Sequence, residues 1–468
     1  MNKRKVFSLL AIFCLTALPA ASGESVILTM EGALRRALES NLTVLKSEQA
    51  LEGARGARKA AGAALNPRLS LSGEVNAYDG IPGRPDSEFL SRAELSQSLY
   101  SGGKNRAAAE QAKLNVKSAE YSLKDARESV ALTVWNAYCE VLCRREVLRN
   151  ARNALEYYTN AEKELESRVR FGLSTNLDLT RVRQQKENAR AAAILADNTL
   201  ESSRIELCRL LRLPPDTKIE LSGSLEDGLP SLGGAERTPG NEDEKMPQIL
   251  SERGDYQALR FAAKARKKQI HIAQSGMRPS LTAAAGCRFA YKQNGLTGAG
   301  DDNQWIAGLK LSVPLYDGGL TAGQVRSARA AFELAQQDVL EKEERIRADL
   351  ADSRLNLQNA LETVIAGRSN VKLARESLAY AETGYAEGVN TQIDVIQARS
   401  ELTQANQLLA QYLRDSRKAQ ANLWRVQGIL VERALRRENL RDAASPDAKL
   451  PRAAKKNAAA PAPTKKSK

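Results

Sequence analysis

Leu148-Arg149-Asn150-Ala151-Arg152-Asn153-Ala154-Leu155-Glu156-Tyr157-Tyr158-Thr159-Asn160-Ala161-Glu162-Lys163-Glu164-Leu165-Glu166-Ser167-Arg168-Val169-Arg170 steps its core-type residues by threes and fours. Leu148, Ala151, Leu155, Tyr158, Ala161, Leu165 and Val169 make one seam, as on a long helix or coiled coil. The stretch belongs to a longer run, Lys104 to Arg170, that holds neither glycine nor proline. At about 1.5 Å per residue that helix is roughly 100 Å long, far beyond the usual three or four turns. It stops at Phe171-Gly172-Leu173-Ser174-Thr175, and a second helical pattern, 176–211, leaves from there.

Upstream, Thr29 is an N-cap with Glu31 in the first turn, and a helix is expected from Met30 to Leu65, stopped by Asn66-Pro67. The pattern then changes to alternation. Leu69, Leu71, Val75 and Ala77 face one way and Ser70, Ser72, Glu74 and Asn76 the other, up to Tyr78. A turn-rich 79–87 follows, then a second strand with Phe89, Ala93, Leu95 and Leu99 on one face, ending in Tyr100-Ser101-Gly102-Gly103.

All of this occurs twice. Leu311 to Gly319 echoes Leu95 to Gly103, and Gly388 to Val395 echoes Gly172 to Leu179, both at an offset of 216. Arg278-Pro279 ends a helix as Asn66-Pro67 does; Leu281–Tyr291 and Trp305–Val313 are strands, with a polar loop from Gln293 to Asn303. A register held across the long helix marks an internal duplication. We therefore expect a first repeat at 24–212 with strands in 68–100, and an irregular linker at 213–247. A second repeat spans 248–438, with strands in 279–316, a long helix at 320–386 and a shorter one at 392–427. In each copy two shorter helices stacked end to end would flank the long one.

Residues 1–23 have the layout of a secretory signal: Lys3, Arg4 and Lys5, an apolar run from Val6 to Leu18, then small residues. Phe13 before Cys14 does not fit a lipoprotein acylation site, so a plain cleaved signal is expected. The tail, 439–468, is rich in Lys, Ala and Pro and reads as disordered. The formal net charge of +14 is concentrated in these ends, leaving about +5 between them and no basic stripe on an ordered face, so nucleic acid is not an expected partner. Cys139 and Cys143, one helical turn apart, are not placed for a disulfide; with Cys208 and Cys287 they read as packing residues. The single histidine, His271, sits on a basic helix, and no phosphate loop or nucleophile–base spacing is present, so no enzyme and no cofactor are expected.

Four alternating strands of about 11 residues suit a membrane barrel, with Tyr78, Phe89, Tyr100, Tyr291, Trp305 and Tyr316 towards their ends as interfacial aromatics. Four strands cannot close one, because the smallest membrane barrels have eight, and lipid tolerates no open edge. Several chains must therefore contribute; three give twelve strands and an open lumen, two give eight and a filled one.

These features resemble the TolC family of bacterial outer-membrane efflux and secretion channels. The marks are Leu28-Thr29-Met30-Glu31-Gly32-Ala33-Leu34, the Leu-Tyr-x-Gly-Gly strand exits, the two Gly-x-x-Thr-x-x-Asp turns, and Leu210-Leu211-Arg212-Leu213-Pro214. The resemblance implies a mainly α fold with a membrane β portion: a homotrimer whose 12-stranded β-barrel, four strands per chain, continues as a long antiparallel α-helical barrel into the periplasm. It implies a passive duct of a tripartite efflux or type I secretion system in the outer membrane, docked to a periplasmic adaptor (membrane fusion) protein and an inner-membrane transporter of RND or ABC type, with outer-membrane lipid around the barrel. A periplasmic coiled-coil scaffold without a pore is the contrasting reading.

By the same resemblance, Gly172, Thr175, Gly388 and Thr391 belong to periplasmic tip turns that meet the adaptor, and Gly102, Gly103, Gly318 and Gly319 are the strand-to-helix exits. Asp394 matches a constriction-ring aspartate, and Asp178 and Tyr385 match a hydrogen-bonded tip latch. Gln397 stands where a second ring aspartate is usual and Asn390 where the latch has an arginine, so a less negative ring and a differently wired latch are expected. Independently of the family, Thr175 with Asp178 and Thr391 with Asp394 have capping-box spacing.

Overall fold

The computed structural model describes residues 26–77, 87–227, 242–294 and 298–435. The expected signal at 1–23, the tail at 439–468, Tyr78 with most of the turn after it, Cys14 and part of the 213–247 linker lie outside the described residues.

Two helices of 67 residues dominate, and both have the expected bounds: α3 at Lys104–Arg170 and, later in the chain, α7 at Leu320–Ala386. The elements before α3 are β1 (Val26–Leu28), α1 (Met30–Ser40), α2 (Leu42–Ala63), β2 (Arg68–Ala77) and β3 (Ser87–Ser101). After it come α4 (Asn176–Leu210), β4 (Ile219–Leu221), α5 (Glu242–Glu252), α6 (Gly254–Gln274), β5 (Ser280–Asn294) and β6 (Gly298–Ser312). A helix α8 (Gln392–Val426) follows α7.

The single helix expected from Met30 to Leu65 is instead broken at Asn41, which is extended at φ −66°, ψ 133°. Its side chain caps α2 through Thr43 N–H and donates to the Leu210 carbonyl at 3.1 Å. That second bond joins the start of α2 to the end of α4. The second copy repeats the joint at Arg253, where the sequence reading ran a helix on from 248. Arg253 is buried, its guanidinium bonds Asp255 at 2.6 Å and reaches the Val426 carbonyl at 3.3 Å, so α6 meets the end of α8. The end-to-end stacking holds, but each joint is made by a polar side chain reaching across the chain.

The linker is less irregular than its composition indicated. β4 pairs in parallel with β1, and α5 begins at Glu242. Tyr138 in mid-α3 donates its hydroxyl towards the carbonyls of Leu28 (3.0 Å) and Ser222 (2.6 Å), while Arg145 donates to those of Leu221 and Gly223, each at 2.8 Å. The main core gathers at this level, with Trp135, Tyr138, Leu142, Leu207, Leu211 and Trp424. The rings of Trp135 and Trp424 meet edge to face at 5.7 Å. Cys139, Cys143 and Cys208 are buried here as free thiols, whereas Cys287 is exposed on the sheet, so the packing role expected for it is corrected.

The four long strands form one antiparallel sheet in the order β2-β3-β5-β6, the copies meeting at β3–β5. The pairing stacks like with like: Leu71, Ala93, Cys287 and Trp305 form one row, and Leu69, Leu95, Ala285 and Ala307 the next, on the same face. The other face carries rows such as Ser72, Arg92, Arg288 and Gln304. Two strands outrun their expected ends, because the loop expected at Gln293–Asn303 is mostly ladder: β5 runs to Asn294 and β6 starts at Gly298. Polar residues there satisfy their backbones by pairing, so the polar sequence did not signal a loop. Trp305 is consequently in mid-strand opposite Cys287, not at a strand end.

Candidate functional site

At the sheet, the face that carries Leu71 and Trp305 is open: these two are 78% and 83% exposed. From the Leu281 row to the Tyr291 row is ten residue steps along β5. At about 3.4 Å per residue and a tilt near 45°, that is a band about 24 Å tall. Phe89 and Tyr291 pair at its upper edge and Tyr100 with Leu281 at its lower edge, which is the girdle arrangement of a lipid-facing barrel wall. Among the described residues no helix is long and apolar enough to cross a membrane.

The strands leave this band through paired glycines in the left-handed region: Gly102 and Gly103 at φ +63° and +89°, Gly318 and Gly319 at +66° and +88°. L-residues pay about 1–2 kcal/mol there, which explains the motif in both copies. The first turn of each long helix is then capped from the position before the glycines. Ser101 Oγ accepts from Asn105 N–H at 3.1 Å. Asp317 accepts from Gly319 N–H at 3.0 Å and Thr321 N–H at 2.8 Å. The bonds from Thr321, above all, hold the Asp317 carboxyl below its usual range. The sequence reading missed this role of Asp317, although its Asp-Gly-Gly context signals it.

At the far end, Gly172 (φ +71°) and Gly388 (φ +80°) turn the chain from α3 to α4 and from α7 to α8. Thr175 Oγ1 accepts from Asp178 N–H at 3.2 Å and donates to the Asp178 carboxylate at 2.7 Å. In the second turn the Asp394 carboxylate accepts from the Thr391 hydroxyl at 2.6 Å and its N–H at 2.8 Å. Those bonds from Thr391 keep Asp394 below the ordinary carboxylate range, so it is anionic at neutral pH. Thr175 and Thr391 both cap their helices as expected, but among the described residues only the second turn closes the reciprocal capping box. Phe171, Leu173 and Val389 project from the turns, each more than three-quarters exposed.

Tyr385 and Asp178 are not joined within the protomer, among the described residues. The Tyr385 ring lies 5.2 Å from the guanidinium of Arg168, and Asp178 is occupied by Thr175. Asn390, which takes the place of the expected arginine, folds back on Gly384. A Cβ there would collide with its amide nitrogen, and Asn390 N–H donates to the Gly384 carbonyl at 3.0 Å. Gln397 bonds Glu401 at 3.2 Å. A further contact was not legible in sequence: Arg399 of α8 stacks on the Tyr157 ring of α3 at 4.3 Å. Burial and the neighbouring Glu382 push the Tyr157 phenol well above its usual range. With Arg168 on Tyr385, each helical hairpin therefore gives one arginine to the other and takes one tyrosine.

The family model described as "Outer membrane efflux protein" matches residues 33–211 and 246–428, most of the chain. The chain belongs to the outer membrane efflux protein family. By that membership and its outer-membrane relatives it is an efflux channel protein of the outer membrane. The chain is 25% identical over 355 residues to the outer membrane protein TolC of Vibrio cholerae, covering 74% of this chain and 78% of that one. Similarity at 24% identity over 385 residues links it to the cobalt-zinc-cadmium resistance protein CzcC of Cupriavidus metallidurans, with 81% and 84% covered. In fold it is similar to the crystal structure of the outer membrane protein VceC from Vibrio cholerae. The TM-score is 0.72 at 21% identity, over 85% of this chain and 96% of that one.

Proposed function

We propose that three copies of this efflux protein pool their sheets into a twelve-stranded barrel, continued by a helical tunnel that serves as a passive exit duct rather than an enzyme. One observation carries this reading. A single chain ends its sheet in two edge strands, β2 and β6, while presenting a mainly apolar face that, between the Leu281 and Tyr291 rows, only Ser91, Gln97 and Asn303 interrupt among the described side chains. Lipid admits such a face only when every backbone group is paired, which closure alone achieves. A lumenless periplasmic scaffold leaves that face without a solvent.

The divisions 24–212 and 248–438 act as pseudo-equivalent sixths of the ring, with 213–247 as an equatorial belt. Energy for transport comes from an inner-membrane transporter of RND or ABC type reached through a periplasmic adaptor. The exposed Phe171, Leu173 and Val389 beside Gly172, Thr175, Gly388 and Thr391 are the adaptor's landing points. Asp394 repeated about the threefold axis is the cation-attracting constriction, and Asp178 and Tyr385 tie neighbouring helices by a hydrogen bond when the tip is shut. The duct itself needs no metal ligands, so small-molecule, metal-ion and protein cargo would pass through the same wall. Growth of a deletion strain on antibiotics and metal salts, with its secreted proteins compared to the parent's, tests the duct. Parental tolerance to every compound together with an unchanged secretome would refute it.

A further inference from the structure

Charge is distributed unevenly along the helical body, in a way visible only once the helices are placed side by side. Four helix ends abut the sheet: the ends of α2 and α6 and the starts of α3 and α7. They lie at one level. Asn105 Nδ2 donates to the Ala64 carbonyl at 3.1 Å, Gln111 bonds Gln269 at 3.0 Å, and Lys267 Nζ lies 6.0 Å from the Phe332 ring. The ten residues of each helix nearest the sheet, 54–63, 104–113, 265–274 and 320–329, hold eleven Lys or Arg and one acid. That is a net of +10, against +14 for the whole chain including its basic ends. The single acid, Glu110, is already paired to Lys268 at 2.6 Å and Arg106 at 3.6 Å. Ten of the eleven basic residues are exposed in the protomer, and the eleventh is Lys268. The expectation that no ordered face is basic is therefore corrected.

Directly above this collar the surface is apolar: Leu99 and Tyr100, beside which the other copy is already in place, remain 51% and 49% exposed, and Leu315 and Tyr316 are their counterparts in the second copy. An apolar and aromatic rim followed within one turn or two by cations is the order met on crossing from acyl chains to headgroups. Ten helical residues span about 15 Å. A headgroup layer of about 5–8 Å and a Debye length of about 8 Å cover the same depth.

We propose that this collar binds the anionic headgroups of phospholipids in the periplasmic leaflet of the outer membrane. It thereby fixes how deep the barrel sits and holds a shell of acidic lipid at the barrel's foot. The inference rests on the barrel reading, and its test separates the two. The full-length protein is placed in nanodiscs of phosphatidylethanolamine and phosphatidylglycerol, roughly 3:1, and lipid retained on release is counted by native mass spectrometry; conductance of the same preparation in planar bilayers is recorded in parallel. The parent is expected to retain phosphatidylglycerol well above its share of the mixture and to lose that enrichment in about 0.5 M salt. The R58Q/K59Q/R266Q/K267Q/K268Q variant is expected to show a roughly ten-fold smaller enrichment with unitary conductance unchanged.

Retention of both lipids in proportion to the mixture would overturn the proposal without any variant. So would undiminished enrichment in the variant, a shift in anion-over-cation selectivity with lipid retention intact (which puts the charge in the lumen), or sedimentation of the parent with purified cell-wall sacculi in place of lipid enrichment. Absence of conductance in a lipid-enriched parent would instead count against the duct and leave the collar standing.

Discussion

Gly102 and Gly318 occupy the same place in the two copies, and alanine at each tests whether a neighbouring chain completes the ring. At Gly102 (φ +63°) a Cβ would lie 2.7 Å from the Arg278 Cβ and 3.1 Å from the Ser275 carbonyl, both in the second copy. The left-handed backbone costs about 1–2 kcal/mol and overpacking against an unyielding neighbour about 1–3 kcal/mol. Gly102→Ala is therefore expected to destabilise by about 2–5 kcal/mol per protomer. At Gly318 (φ +66°) an added Cβ meets nothing among the described residues of its own chain, which leaves about 1–2 kcal/mol. If the copies repeat around a closed ring, the place of Ser275 and Arg278 is taken by the matching segment of the next chain, around 63–66. The account predicts that the Gly318→Ala cost rises to that of Gly102→Ala. Guanidinium midpoints from circular dichroism, at fixed protein concentration in detergent, give both values. A Gly318→Ala cost that stays near the backbone penalty while Gly102→Ala costs clearly more would refute the reasoning.

Asp394→Ala is expected to lower the block of single-channel current by divalent cations, and unchanged block would retire the ring assignment. Tyr385→Phe should raise leak of bulky antibiotics through the resting tip; permeability equal to the parent's would remove the hydroxyl from the closing contact. Arg399→Ala, which frees Tyr157 from its cation, should raise the same leak without altering divalent block, and a parental leak would reduce that stacking to surface decoration. Glu140 supplies a pH test. Burial raises its carboxyl, but Lys418 at 2.8 Å, with Arg414 and Arg144, outweighs burial and holds it below the ordinary glutamate range. A group depressed on folding adds stability above its unfolded value and loses it as pH falls through the folded one. Glu140→Gln should thus be less stable than the parent at pH 7, with the gap closing below about pH 4.5; a gap independent of pH would show that the charge is not the stabilising feature.

The long helices were legible to the residue because their ends carry glycine pairs and Gly-x-x-Thr turns, whose backbone needs are local. The tip caps were legible for the same reason: Thr391 and Asp394 are three residues apart. What escaped was made by partners far apart in sequence. Nothing near Asn41 says that its amide will find Leu210, and the run around Arg253 reads as helix until Asp255 and Val426 are beside it. β4 is three residues long and exists because β1 lies against it. Arg399 and Tyr157, 242 positions apart, meet only through hairpin packing. The basic collar escaped because its charges come from four segments spread between 54 and 329, none of them unusual alone. Trp305 reads as a strand end because its neighbours are polar, whereas the ladder continues past it on both sides.

Closure by three chains is the claim on which the lumen, the ring and the collar all stand. Light scattering of the purified full-length protein in detergent, corrected for bound detergent, measures it directly. A single species with three chains' mass is the predicted result. A monodisperse single chain, or a stable assembly of any other number, would contradict it.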